Sequence, residues 1–336
     1  GVITPWNFPM AIPAWKIAPA ICYGNPVVFK PAELVPGCAW AIVDILHRAG
    51  MPAGTINLVN GPGSVVGQAM LDDSRVKAIS FTGSQATGER VAQASVRHMR
   101  KFQLEMGGKN PLVVLDDADL DVAVDCAVQG AFFATGQRCT ASSRLVVADG
   151  IHSRFVEACA TRIRDLNVGD ALDSRTQIGP VVDEKQLKQD LDYVDIGRRE
   201  GGTLRVGGER LKRDKSGFYM SPALFTDTRN DMRINTEEVF GPVASVIRVR
   251  NYEEALQVAN DTPFGLSSGI CTQSLKHATH FKRNAQAGMV MVNLPTAGVD
   301  YHVPFGGAKG SSYGPREQGR YAVEFHTTVK TAYTCA

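Results

Sequence analysis

The chain has 336 residues, 44% of them hydrophobic and 21% charged, and a formal net charge of +2. That length supports two domains with proper cores, and the composition is that of an ordinary globular protein. So small a charge offers no field for nucleic acid or a membrane surface, while seven scattered cysteines without a CxxC pair argue against a disulfide framework or a zinc site and for a reducing cytoplasm.

Along the chain, short β-branched runs alternate with helical segments. The opening GVITPWNFP reads as a strand running into a loop, with no initiator Met and no signal peptide. In MAIPAWKIAPAICYG, Lys16 and the prolines rule out a membrane span. PVVFK (26–30), TINLV (55–59) and VKAISF (76–81) read as strands, followed by helices near 36–49, near 64–71 and in SQATGERVAQASV. KFQLEM (101–106) and PLVVL (111–115) are further strands. Asp119 is placed to cap a helix in DLDVAVDCAVQGAFFA. RLVVA (144–148) is a strand, and a helix spans about 151–166. The Gly-, Asp- and Lys-rich segment 168–222 reads as excursions on a second domain. ALQVAND and GLSSGICT resume the rhythm, and HTTVKTAY alternates like an exposed strand in need of a partner. Such alternation specifies parallel sheets flanked by helices, an α/β fold.

Three turns at strand ends are candidates for holding a dinucleotide. NGPGSVVG (60–67) joins strand to helix, but with GxGxxxG rather than GxGxxG spacing. FTGSQATG (81–88) sets Gly83 and Ser84 at a helix N-terminus, where backbone N–H groups can meet a pyrophosphate. In KPAE (30–33), Lys30 and Glu33 are placed to hydrogen-bond a ribose. A carboxylate there repels a 2′-phosphate and favours NAD over NADP. Each has a plainer reading: a tight turn, a helix start, a solvated lysine.

Cys139, in FFATGQRCTASSR, follows a helix ending at Gly136 and precedes a strand. That placement suits a nucleophilic thiolate, although an inert buried thiol is the commoner state of a cysteine. Glu105, in LEMGGKN, closes a strand beside two glycines; a partly desolvated carboxylate there can act as general base toward water, or be a plain surface glutamate. Asn7, in TPWNFP, offers an amide to an oxyanion, or merely forms a turn. Nucleophile, base and oxyanion donor beside a dinucleotide turn suit the oxidation of an aldehyde through a thioester.

TPWNFP, KPAE, FTGS, LEMGGKNP, GQRC, EEVFGP and PFGGAKGSS stand in the order seen in the NAD(P)-dependent aldehyde dehydrogenase superfamily, which the chain resembles almost end to end. The resemblance implies a Rossmann-like cofactor domain, an α/β catalytic domain and a C-terminal oligomerisation strand. It makes 1–107 an N-terminally incomplete cofactor domain, 108–308 the catalytic domain, 309–324 a return to the first, and 325–336 the strand. It implies that Cys139 is the nucleophile, Glu105 the base, and Asn7 with the Cys139 N–H the oxyanion hole, the other six cysteines being structural. Lys30 and Glu33 then take the adenosine ribose, Gly63, Gly83 and Ser84 the adenine and pyrophosphate path, and Trp6 the diphosphate. Glu238 and Phe240 hold the nicotinamide ribose and ring, and Gln186 makes another cofactor contact. Lys16 and Asn293 match active-site positions without settled roles. The implied cofactor is NAD, with NADP as the alternative, and no metal; the partners are a small aldehyde and, for the full-length parent, further copies of itself as a homodimer or homotetramer.

Within the superfamily, GQRCTASSR and NLPTAGVDYHVPFGGAKGSSYGPREQGRYAVEF look most like the α-ketoglutaric semialdehyde (2,5-dioxopentanoate) dehydrogenases, with Arg138 and His302 suited to a carboxylate or keto group. Trp15 stands where succinic-semialdehyde enzymes of the family carry an Arg. Two departures stand out. Lys309-Gly310-Ser311-Ser312 replaces the usual Lys-x-Ser-Gly. Family chains also begin well before TPWNFP, so roughly 100–150 further residues are expected ahead of this one, about one domain's worth. The alternatives are a CoA-acylating semialdehyde dehydrogenase, which Glu105 argues against, a thiol esterase, and a catalytically silent dinucleotide-binding or structural protein.

Overall fold

A computed structural model describes residues 1–335. The chain divides into two compact units, one of Gly1–Met106, Val299–Gly306 and Ser312 onward, the other of Gly107–Gly298 and Gly307–Ser311. The sequence reading sets its changes of domain at 107/108 and 308/309; the chain changes unit at 106/107, 298/299, 306/307 and 311/312.

The first unit begins with β1 (Val2–Ile3), α1 (Ala11–Cys22), β2 (Val27–Lys30), α2 (Pro36–Arg48), β3 (Ile56–Leu58), α3 (Gln68–Asp72), β4 (Ala78–Thr82), α4 (Gln85–Arg97) and β5 (Lys101–Glu105). The strands lie parallel in the order β5-β4-β1-β2-β3. Val2, Val27 and Phe29 pack with Ile17 and Ala20 of α1 and Ala39 of α2; Ile79, Phe81 and Leu104 pack with Leu71 and Val91. Burying each of these larger side chains is worth about 1.5–3 kcal/mol. Because the strand order steps outward from β1 in both directions, the carboxyl ends of β1 and β4 flank a topological switch point, the usual ligand crevice of an open α/β sheet. TPWNFP, KPAE, NGPGS and FTGS follow β1, β2, β3 and β4 at those ends. The helix expected at 64–71 is a five-residue π turn, Gly63–Gly67, running into α3.

The second unit contains β6 (Pro111–Val114), α5 (Leu120–Phe132), β7 (Arg144–Ala148), α6 (Asp149–Arg164), α7 (Glu184–Arg199), β8 (Thr203–Val206), β9 (Arg210–Leu211), β10 (Tyr219–Met220), β11 (Ala223–Thr228), α8 (Arg233–Thr236), β12 (Val243–Val249), α9 (Tyr252–Asn260), β13 (Ser267–Cys271), α10 (Leu275–Asn284) and β14 (Met289–Val292). Its sheet runs β14-β13-β6-β7-β12-β11-β8, parallel except for β8. The unbroken apolar run of β7 follows from burial on both faces: Leu145 and Val147 pack with α5 and α6, Val146 and Ala148 with α9. Asp119 caps α5 as expected, its carboxylate accepting from the Val122 N–H at 3.1 Å.

Two expectations are corrected. Segment 168–222 is more than excursions, since it holds the 16-residue α7 together with β8, β9 and β10. Only a narrow stripe of α7, Leu187, Asp190, Val194 and Gly197, is buried, so its composition mimics a loop. In the first unit, β15 (Ser312–Tyr313) and α11 (Val323–His326) complete the chain. The strand expected at 325–336 starts instead within a helical turn, and residues 327–335 join no ladder of this chain. Alternation alone makes no strand without an edge to pair with. The last residue of that expectation lies outside the described residues.

Candidate active site

In the first unit the cofactor motifs meet at strand ends. Lys30 closes β2 with its ammonium buried and donating to the Pro31 carbonyl at 3.0 Å. Burial pulls its pKa down and Glu33 partly restores it. The Glu33 carboxylate accepts the Gly63 N–H at 2.9 Å, which ties KPAE to NGPG. Gly83 differs from expectation: its N–H donates to the Glu105 carbonyl at 3.0 Å and is not offered to a phosphate. Ser84 caps α4, accepting from the Thr87 N–H at 3.4 Å. Trp6 and Asn7 are half-buried in the loop between β1 and α1.

Glu105, at the carboxyl end of β5, is buried and accepts the Ser312 hydroxyl at 2.6 Å. Burial first, then the Glu317 charge, push its pKa well above the carboxylate range, against the Ser312 hydroxyl, Lys16 and Arg316. Once ionised, such a carboxylate is a stronger base toward water than an exposed one. Lys16, expected near substrate, is buried on α1 in an ion pair with Glu317 and donates to Ser80 at 2.9 Å. Ser80 donates on to Gln103 at 3.0 Å, and Gln103 to the Pro315 carbonyl at 2.7 Å. Breaking a buried pair of this kind costs about 3–5 kcal/mol.

In the second unit, Cys139 sits in the turn between α5 and β7 and is half-buried. Ala134, Thr135 and Gly136 take left-handed φ values of 53°, 60° and 64° and reverse the chain ahead of it. Behind it, three successive carbonyls are held by buried side chains. Asn110 donates to the carbonyls of Cys139 at 2.8 Å and Ala141 at 3.0 Å, and Thr296 donates to that of Thr140 at 2.7 Å. Ser142 and Thr296 share a 2.6 Å hydrogen bond. The sequence reading missed Asn110 and Thr296; LEMGGKNP contained the first, and no local signal marks the second. Beside Cys139, burial lowers the Arg138 guanidinium pKa and the cysteine partly offsets this. The Arg138 Nε has no hydrogen-bond partner among the described residues.

EEVFGP lies in the same unit. Glu238 accepts the Gly108 N–H at 2.9 Å, and burial pushes its pKa up to about 7. Lys109 is fully buried, and burial with the Arg144 charge brings it down to about 7. Phe240 is left-handed at φ 62°. Gln186 donates to Asp190 at 2.8 Å and to the Val239 carbonyl at 3.1 Å, and Gln189 to that carbonyl at 2.8 Å. The residue expected to touch cofactor thus braces the loop carrying Glu238 and Phe240. Asn293, left-handed at φ 54°, pairs with the Thr272 N–H and carbonyl, both at 3.0 Å. His302, in the first unit, is exposed, its ring against that of Tyr301.

No disulfide joins cysteines among the described residues; Cys126, Cys159 and Cys271 are buried, Cys38 is half-buried, and Cys22 and Cys335 are exposed. Burial pushes the Cys159 thiol up to about 12.

A switch-point sheet carrying KPAE and NGPG, and a second α/β unit presenting a half-buried cysteine on a braced turn, define one class of protein. The chain belongs to the aldehyde dehydrogenase family, whose profile matches residues 1–332. It is 48% identical to the alpha-ketoglutaric semialdehyde dehydrogenase of Bacillus subtilis (strain 168), over 99% of this chain and 69% of that protein. It is 40% identical to the 2,5-dioxopentanoate dehydrogenase of Saccharolobus solfataricus, over 99% of this chain and 70% of that protein. The crystal structure of betaine aldehyde dehydrogenase from Staphylococcus aureus in complex with NAD+ superposes with a TM-score of 0.93 at 37% identity, covering 96% of this chain. This chain spans less than two thirds of that one, 64% of its length. No helix among the described residues is long and apolar enough to cross a membrane.

Proposed function

We propose that this chain carries the NAD-dependent, non-acylating oxidation of an aldehyde to a carboxylic acid, acting on a carboxylate-bearing semialdehyde such as 2,5-dioxopentanoate. The observation that carries the reading is the family match along residues 1–332, a stretch whose sequence contains the proposed Cys139, Glu105 and Asn7. Glu33 anchored on Gly63, the open space around the Gly63 Cα and the buried Glu238 suit a dinucleotide. When bound there, NAD would supply the acceptor for the substrate's hydride.

The Cys139 thiolate attacks the aldehyde carbon, and the resulting thiohemiacetal oxyanion is stabilised by the Asn7 amide and the Cys139 N–H. Loss of hydride leaves an acyl thioester on Cys139. Glu105 takes a proton from water, which attacks the acyl carbon and releases the acid and the thiolate. Lys30, Glu33, Gly63, Ser84 and Trp6 serve the adenosine and diphosphate, Gly83 shapes the turn against the Phe81 ring, Glu238 and Phe240 serve the nicotinamide end, and Gln186 acts through the loop that carries them. Lys16 acts through Glu317, and Asn293 through the backbone at Thr272.

The semialdehyde assignment rests on the activities for which the B. subtilis and S. solfataricus relatives are named and on Arg138 beside the nucleophile, with His302 as a second candidate. A homodimer or homotetramer in the cytoplasm completes the proposal. The test is NADH appearance with 2,5-dioxopentanoate, succinic semialdehyde and a neutral aldehyde. The first is expected to have the highest kcat/KM, Cys139→Ala to abolish turnover, and Arg138→Ala to erase the preference for acidic aldehydes. Turnover surviving in Cys139→Ala overturns the reading.

A further inference from the structure

Lys309-Gly310-Ser311-Ser312 departs from the family's usual Lys-x-Ser-Gly at its last residue. A glycine there has no side chain to hydrogen-bond; Ser312 has. β15 pairs antiparallel with β5, and Ser312 stands directly opposite Glu105. Directly opposed residues of two strands present their side chains on the same face, within reach of one another. The Ser312 hydroxyl donates to Glu105 Oε2 at 2.6 Å, while Oε1 lies so close to Gly306 that a Cβ there would come within 2.8 Å of it.

We propose that Ser312 is a positioning residue for Glu105: its hydroxyl, directly across the strand pair, fixes the orientation of the carboxylate that activates water in the hydrolytic step. This rests on the reading of Glu105 as general base. The charged groups facing the carboxyl are Lys16 from α1 and Arg316 and Glu317 from the segment after β15. Burial and Glu317 disfavour its charged form; the Ser312 O–H, Lys16 and Arg316 favour it. A donor to the charged form lowers a pKa, so removing it must raise that of Glu105.

The experiment is the pH profile of the steady-state turnover that follows the first NADH burst, measured on the full chain with Ser312→Ala, Ser312→Gly and Ser312→Thr. The rising limb is expected to move to higher pH in the alanine and glycine variants and to return toward wild type in threonine, with KM little changed. Cys139 alkylation at the wild-type rate shows that the variants are folded. A merely structural serine would lower the melting temperature and leave the limb in place. That outcome, with Glu105→Gln abolishing hydrolysis, overturns the role of Ser312 alone. Hydrolysis surviving in Glu105→Gln overturns the base assignment beneath it.

Discussion

Asp190 occupies the buried stripe of α7 between Leu187 and Val194, its carboxyl packed against the backbone of Gly241. Burial pushes its pKa from 3.8 up to about 7. Between those values the folded protein keeps a proton that the unfolded chain has released. Stability from this group therefore falls as pH rises through the window and is level above it. Asp190→Asn, uncharged throughout, is expected to be more stable than wild type by about 4 kcal/mol above pH ~7 and nearly equal to it below pH ~4. Thermal melts at the two pH values read the difference, and an equal gain at both would refute burial as the cause. The spacing of Leu187, Asp190 and Val194 is visible in the sequence. Its meaning is not, because an aspartate in an otherwise charged segment looks like solvated surface.

At the scale of the element, the turn from α5 to β7 presents Cys139, the proposed nucleophile. Gly136 takes φ 64°, where a side chain is strained, and a Cβ there would collide with the Gly241 carbonyl. Backbone cannot swing aside as a flexible side chain does. Gly136→Ala is expected to cost about 1–3 kcal/mol from overpacking, in addition to the strain of left-handed backbone. A lowered melting temperature and slower alkylation of Cys139 would report it; an unchanged alkylation rate would mean that the turn tolerates the shift. The elements legible in advance are those with a clean period. β7 was expected over 144–148 and spans those residues, and the Asp119 cap holds the start of α5. The C-terminal strand was not legible in this way, because pairing depends on an edge that alternation does not supply.

Over the whole molecule, four motifs between residues 4 and 84 reach the carboxyl edge of one sheet. The two-way strand order from β1 brings them there, where the Gly63 N–H anchors Glu33, the residue we propose for the dinucleotide's ribose. NAD at one hundred times its Kd is expected to stabilise the folded protein by about 2.7 kcal/mol. NADP at equal concentration should do less, because its 2′-phosphate meets the Glu33 charge. Melting temperatures with each dinucleotide decide this, and identical shifts would remove Glu33 from the selection.

The α/β class follows from patterning alone, because short β-branched runs between helical stripes bury compatibly only as parallel sheets covered by helices. The family is legible there as well, because seven motifs in one order are carried by residue identity alone. Which group each polar atom meets depends on the folded chain. Ser312 reaches Glu105 across 207 residues, Thr296 reaches the Thr140 carbonyl across 156, and Gln186 reaches the Val239 carbonyl across 53. Local patterning states which face of an element is buried. The partner on that face is set by strand order and register, which bring together residues that no short stretch of sequence contains.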